Sequence, residues 1–228
     1  MESLLSLSLT LIIVLAGYEF FGISRAFFFR LKDRSEERQA ALAALNMIHE
    51  DARRAGQGLA GPISLGLVSG LETEGGRLHV ERCEKDLGLA ADIQPGQTIL
   101  VVRNAEGLKR KRHVCLIQAG QGQVLEISNI QEKALTVNPA VEAFYKKEES
   151  CLLLLETVDY SLDEPTGVIR RKENNGSGQP LIEEAALLEF VSETASRLTT
   201  IRLAVQPHRE KVYETCILPK NLAPVFQR

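Results

Sequence analysis

From Ser3 to Tyr18 the chain reads SLLSLSLTLIIVLAGY, with no charged residue. As a helix this run is roughly 24 Å long, against roughly 30 Å for the hydrocarbon core of a bilayer. Met1 on one side and Phe20, Phe21 and Ile23 on the other supply the missing length. Glu2 and Glu19 stand near the two ends, where a carboxylate reaches the interface. At mid-bilayer it would cost roughly 3 kcal/mol. Nothing breaks the helix further on, because the first proline is Pro62. Past Arg25 the pattern becomes amphipathic. Ala41, Leu45, Ile48, Ala52 and Ala55 share one face, and Glu36, Glu37, Arg38, Glu50, Asp51, Arg53 and Arg54 occupy most of the remainder. Glu50 precedes Arg54 by four positions, the favourable order for a helix-surface pair. Asp33 or Ser35 could cap a separate helix, but strong helix formers on both sides favour one rod. Arg53 and Arg54 suit a helix C-terminus, and Gly56 and Gly58 suit the turn after it. The prediction is a helix of about 55 residues, apolar and membrane-spanning over 1–24 and amphipathic over 25–56.

Residues 57–228 read as one β-rich domain. Gly56 to Gly76 reads as a glycine-rich loop crossing toward a sheet. Strand-length segments follow at Arg77–Arg82, Thr98–Asn104, Arg112–Gln118, Gln123–Ser128, Cys151–Tyr160, Gly167–Arg171, Leu198–Gln206 and Lys211–Leu218. Turn chemistry separates them: QPGQ at 94–97, NAEG at 104–107, AGQG at 119–122, DEPTG at 163–167 and NNGSG at 174–178. Ile201, Leu203 and Val205 share one face, with Arg202 opposite; Ile182–Val191 suits a short helix or a strand. The expected architecture is α+β, a long N-terminal helix packed on antiparallel strands. A hydrophobic fraction of 44% supports a real core, and a net charge of −3 gives no global pull toward nucleic acid or anionic lipid.

Two separated regions, the N-terminal helix and a late motif, resemble one family in the same order. ESLLSLSLTLIIVLAGYEFF resembles the start of mature type IV pilins and type II secretion pseudopilins, in which an acid-led hydrophobic helix runs straight into an amphipathic half. NMIHEDARRAGQG resembles the close of that helix in PilW-type minor pilins and GspJ-type minor pseudopilins. TVDYSLDEPTGVIRRKENNGSGQPLIEEAALLEF is similar to a late motif of the same group: a strand with Tyr160, a turn at Gly167, a strand ending at Arg170 and Arg171, then a hydrophobic stretch closing at Phe190. The resemblance implies a pilin-like fold and a non-enzymatic subunit without cofactors. It would sit first in the bacterial inner membrane with its head outside the cytoplasm, and then near a pilus or pseudopilus tip. Implied partners are other minor and major pilins or pseudopilins, the inner-membrane assembly platform, and membrane lipid before assembly. Glu2, Leu5, Leu9, Ile12, Ile13 and Gly17 fall on the implied assembly surface, with Glu2 neutralising the terminal amine of a neighbour. Family members carry a basic leader ending in glycine before that glutamate. Only Met1 precedes it here, which leaves a mis-assigned start, a trimmed one or an unprocessed chain; the expectation is one of the first two. A cleaved signal peptide is the competing reading, with Val14-Leu15-Ala16 as its site. The acid at the start and the helical pattern beyond the cut oppose it.

The remaining motifs carry less. Cys83, Cys115, Cys151 and Cys216 have no C-x-x-C spacing, which argues against zinc. In an exported domain they could form two disulfides; the other reading is that several are small apolar core residues. Gly56-Gln57-Gly58-Leu59-Ala60-Gly61 matches G-x-G-x-x-G but follows a helix, so its amides would not converge on a phosphate. Lys109, Arg110, Lys111 and Arg112 read as a solvated edge or turn entering a strand, or alternatively as a polyanion contact suited to DNA phosphates or a lipid surface. Histidines 49, 79, 113 and 208 look scattered, and no G-x-S-x-G is present. Asn175-Gly176-Ser177, formally a glycosylation sequon, reads as turn chemistry. Two alternatives to a filament subunit follow: a membrane-anchored binding module for DNA or a surface ligand, and an exported enzyme.

Overall fold

The computed structural model describes the backbone of residues 2–74, 76–193, 198–205 and 212–222. It begins with α1, an unbroken helix over Glu2–Arg53, three residues short of the end read from sequence. The segment Leu9–Arg53 is apolar and long enough to cross a membrane, with mean hydropathy 1.6 in its most apolar window. The chain divides into two compact units, Met1–Ala43 and Ala44–Arg228. The last turns of α1 therefore belong with the strands. Within that second unit Leu45, Ile48, Ala52 and Ala55, all on the face read from the spacing, are buried.

The strands are β1 (Leu71–Glu74), β2 (Arg77–Asp86), β3 (Ile99–Val101), β4 (His113–Gln118), β5 (Gln121–Gln131), β6 (Ala134–Asn138), β7 (Cys151–Asp163), β8 (Val168–Glu173), β9 (Gln179–Ile182), β10 (Ala185–Glu193), β11 (Leu198–Val205) and β12 (Val212–Ile217). Nine of them form one sheet with the path β1-β2-β7-β4-β5-β6-β3, and β8 and β9 branch from β7. The second sheet is β10-β11-β12. All the registered pairings are antiparallel. The α+β class and the antiparallel β-rich domain are thus as read.

β7 is the organising strand. One edge carries β2 over Leu153–Tyr160. The other carries β4 over Cys151–Leu154 and then β8 over Val158–Asp163. Its side chains alternate between faces, as a strand requires. Leu152 and Leu154 enter a core with Leu100, Leu116, Leu125 and Ile127. Leu153 and Leu155 face the opposite way, onto Leu59, Ile63 and Leu222.

Several segments differ from the sequence reading. The stretch from Gly56 to Gly76 is not a plain loop: it contains α2 (Ala60–Ser64) and β1. Residues 56–57 run beside β2, where the Gly56 amide donates to the Glu81 carbonyl and the Cys83 amide to that of Gln57, both at 2.8 Å. That close approach needs Gly58, whose φ is +72° and whose Cβ position lies 2.8 Å from Cys83 Cβ. β6 and β9 lie outside the segments expected as strands, and Ile182–Val191 divides between the end of β9 and β10. In β11, Ile201 and Leu203 are buried while Arg202 is exposed between Glu189 and Glu214. Gln206 and Lys211, read as strand ends, lie outside the described residues.

Candidate functional site

The first candidate surface is the apolar part of α1. Leu9, Ile12 and Ile13 are 59%, 62% and 63% exposed, and no residue of the most apolar window is buried. The helix passes through Gly17 and Gly22 unbroken, with nothing within 4 Å of the Cβ position at either. The side chains of Glu2 and Leu5 lie outside the described residues. Apolar side chains exposed on every side of residues 9–23 suit lipid or other helices as their solvent.

The second is a buried polar node where α1 meets the sheet. Alternation along β2, β7 and β8 puts Arg82, Glu156, Tyr160 and Arg171 on one face, since Arg82 stands opposite Glu156 and Tyr160 opposite Arg171. Asp51 reaches them from the last turn of α1. It accepts from the Tyr160 hydroxyl at 2.6 Å, from Arg171 Nε at 3.0 Å and from Arg82 Nη1 at 3.3 Å. Arg82 also makes a two-pronged contact with Glu156, at 2.9 and 2.5 Å. Two guanidinium groups and two carboxylates are thereby balanced in a largely dry place, the condition under which buried charge is tolerated. Burial pushes the Tyr160 hydroxyl up, and the Asp51 charge and hydrogen bond push it further, so it remains a donor. Burial works against the Arg171 charge, but the bonds to Glu173 and Tyr160 and the Asp51 charge outweigh it and raise its pKa. The helical spacing alone places Asp51 among the solvent-facing charges. It is 7% exposed.

The opposite face of the same strands carries a third cluster. His79 Nδ1 lies 2.6 Å from Asp159, its cross-strand partner, and Nε2 lies 3.5 Å from Glu81. Glu81 in turn accepts from the Ser69 and Gly70 amides at 3.1 and 3.2 Å. The hydrogen bonds to Asp159 and Glu81 outweigh the cost of burial and push His79 up to about 10. For Glu81, burial favours the neutral acid, but His79 and the Gly70 amide prevail and lower its pKa. These groups, with His113, Lys172 and Asn174, line an open depression of about 280 Å³. His79 and His113, apparently scattered in sequence, therefore share one surface feature. With both ring nitrogens of His79 facing carboxylates, it is placed as an ion-pair partner. Among the described residues no three His, Cys, Asp or Glu side chains are grouped to hold a metal ion.

The basic run is split by the start of β4. Lys109, Arg110 and Lys111 are exposed, as a solvated turn requires, but Arg112 is 9% exposed. Its Nη2 donates to Glu84 at 2.6 Å and to the Leu155 carbonyl at 2.7 Å. Arg112 is thus a structural cation, and the polyanion-contact reading does not extend to it. The four cysteines carry free thiols. Cys115 is buried, as the core reading expects, whereas Cys151 and Cys216 are exposed and Cys83 is half-buried. Cys83 on β2 and Cys115 on β4 flank β7 on opposite edges. Two strand spacings, roughly 9–10 Å, exceed disulfide reach. Cys216 belongs to the other sheet.

No family model and no curated protein matches the chain. A solved structure, the Gp54 tailspike of Acinetobacter baumannii bacteriophage AP22 in complex with A. baumannii capsular saccharide, is similar over 34% of this chain and 14% of its own, at 13% identity and a TM-score of 0.29. A likeness of that size carries no argument.

Proposed function

We propose that the chain is a minor pilin or minor pseudopilin, a low-copy structural subunit that initiates or caps assembly of a type IV pilus or type II secretion pseudopilus. One observation carries the reading: a single 52-residue helix whose early turns expose apolar side chains and whose last turn is tied into an antiparallel sheet through Asp51. Such a helix has two compatible environments. In the membrane its apolar half is dissolved in lipid. In a filament the same half packs against equivalent helices, so apolar burial is exchanged for apolar burial and extraction avoids the full transfer cost. The resemblance of Glu2 to the family's N-terminal glutamate gives that bundle its register, since an unpaired carboxylate there would be unfavourable.

The test is complementation in a host from which this gene has been deleted. The parent should restore surface filaments or secretion, and Glu2→Ala should reach the membrane in normal amount yet fail to restore either. Normal assembly with Glu2→Ala, or in the deletion itself, would remove the proposal.

A further inference from the structure

Residues 25–34, RAFFFRLKDR, set four cations, Arg25, Arg30, Lys32 and Arg34, against the one anion Asp33. From Ser3 to Ser24 the sole charge is Glu19. The concentration of positive charge thus begins where the apolar run stops. α1 continues through it, and Phe27, Phe28 and Phe29 are 61%, 63% and 46% exposed. The Arg25 guanidinium lies 5.5 Å from the centre of the Phe29 ring, and Lys32 lies 3.6 Å from Glu36. Arg30 and Arg34 have no carboxylate partner among the described residues.

Helix length gives this segment its place. Counting from Ser3, roughly 30 Å of hydrocarbon is crossed by about Ile23, and the headgroup layer beyond is about 5–8 Å deep. Arg25, Phe27 and Phe28 fall within that layer, and Phe29, about 9 Å past Ile23, stands at its outer edge. Arg30, Lys32 and Arg34 follow about 3, 6 and 9 Å beyond it, the first two on stems long enough to reach back and the third within a Debye length of the phosphates. Successive residues step by about 100°, so the three rings cover more than half the circumference and wedge the interface on most sides.

We infer that residues 25–34 form a collar that binds the phosphates of anionic phospholipids in the leaflet on the C-terminal side of the span. The inference rests on reading α1 as membrane-spanning. A zwitterionic surface would leave the excess cations uncompensated, whereas an anionic one strengthens binding by about fivefold per basic residue, the equivalent of ~1 kcal/mol each. The collar fixes how deep the helix sits and holds the subunit against extraction.

The chain has no tryptophan, so Phe28→Trp places a unique energy donor in the collar. The full-length protein is reconstituted into phosphatidylcholine vesicles containing a minor amount of phosphatidylglycerol, with a dansyl label on one lipid or the other. Transfer from the tryptophan to labelled phosphatidylglycerol should exceed transfer to labelled phosphatidylcholine by about twofold or more, and the excess should shrink as salt shortens the Debye length. It should vanish when Arg25→Gln, Arg30→Gln, Lys32→Gln and Arg34→Gln are combined. Equal transfer to both lipids, or a preference that survives the four replacements, overturns the collar while leaving the membrane span intact. A chain that does not float with vesicles of either composition overturns the span as well.

Discussion

The Tyr160 hydroxyl donates to Asp51 at 2.6 Å, joining the last turn of α1 to β7 across 109 positions of sequence. Arg171, directly opposite Tyr160 on β8, bonds the same carboxylate. Asp51→Ala would strand Arg82 and Arg171 without their shared counter-charge and should cost about 3–5 kcal/mol. Tyr160→Phe removes one hydrogen bond to a charged group and should cost about 1.5–3 kcal/mol. Urea unfolding of both variants and of the double variant checks this. The double should fall short of the sum, because the two residues share one interaction.

The His79 cluster should make stability depend on pH in a defined direction. Its folded pKa of about 10 lies above the ordinary 6.5, so its contribution is complete below 6.5, declines above it and is gone past 10. With His79 34% and Asp159 41% exposed, solvent screening reduces the effect to about 1 kcal/mol. The parent should lose that much more than His79→Gln between pH 6.5 and 10.5, measured by parallel unfolding titrations.

Two glycines should respond oppositely to the same change. Gly58→Ala forces a side chain onto a φ of +72° and into Cys83 Cβ, which cannot swing away, and should cost about 2–3 kcal/mol. Gly17→Ala meets nothing within 4 Å and should strengthen α1 by up to about 1 kcal/mol. Thermal unfolding reads the first; slower amide exchange around residue 17 in micelles reads the second.

The basic run should separate into three tolerant positions and one intolerant one. Replacing Lys109, Arg110 and Lys111 together by alanine should change stability by less than about 0.5 kcal/mol. Arg112→Met should cost about 2–4 kcal/mol, since it leaves Glu84 and the Leu155 carbonyl without their donor.

What could be read from the sequence is what is local. The helix end was placed within three residues, because three- and four-residue periodicity needs no distant partner. The β7–β8 hairpin was legible from DEPTG, where Gly167 adopts a φ of +64°. β6 escaped because its alternation, Leu135 and Val137 against Thr136 and Asn138, covers only five residues, and β9 because it is shorter still and carries Pro180; both are held as strands by neighbours, β6 by β3 and β5 and β9 by β8. The sites depended on distance. Asp51 looked like one more surface acid because Arg82, Tyr160 and Arg171 lie 31, 109 and 120 positions away. Arg112 looked like the fourth of four cations. The strand that starts after it turns it inward, a distinction that charge patterning alone does not contain.

The Asp51 node also has a mechanical meaning. Its partners sit on β2, β7 and β8, three strands hydrogen-bonded side by side. Tension arriving at the end of α1 is therefore shared by three backbones in parallel.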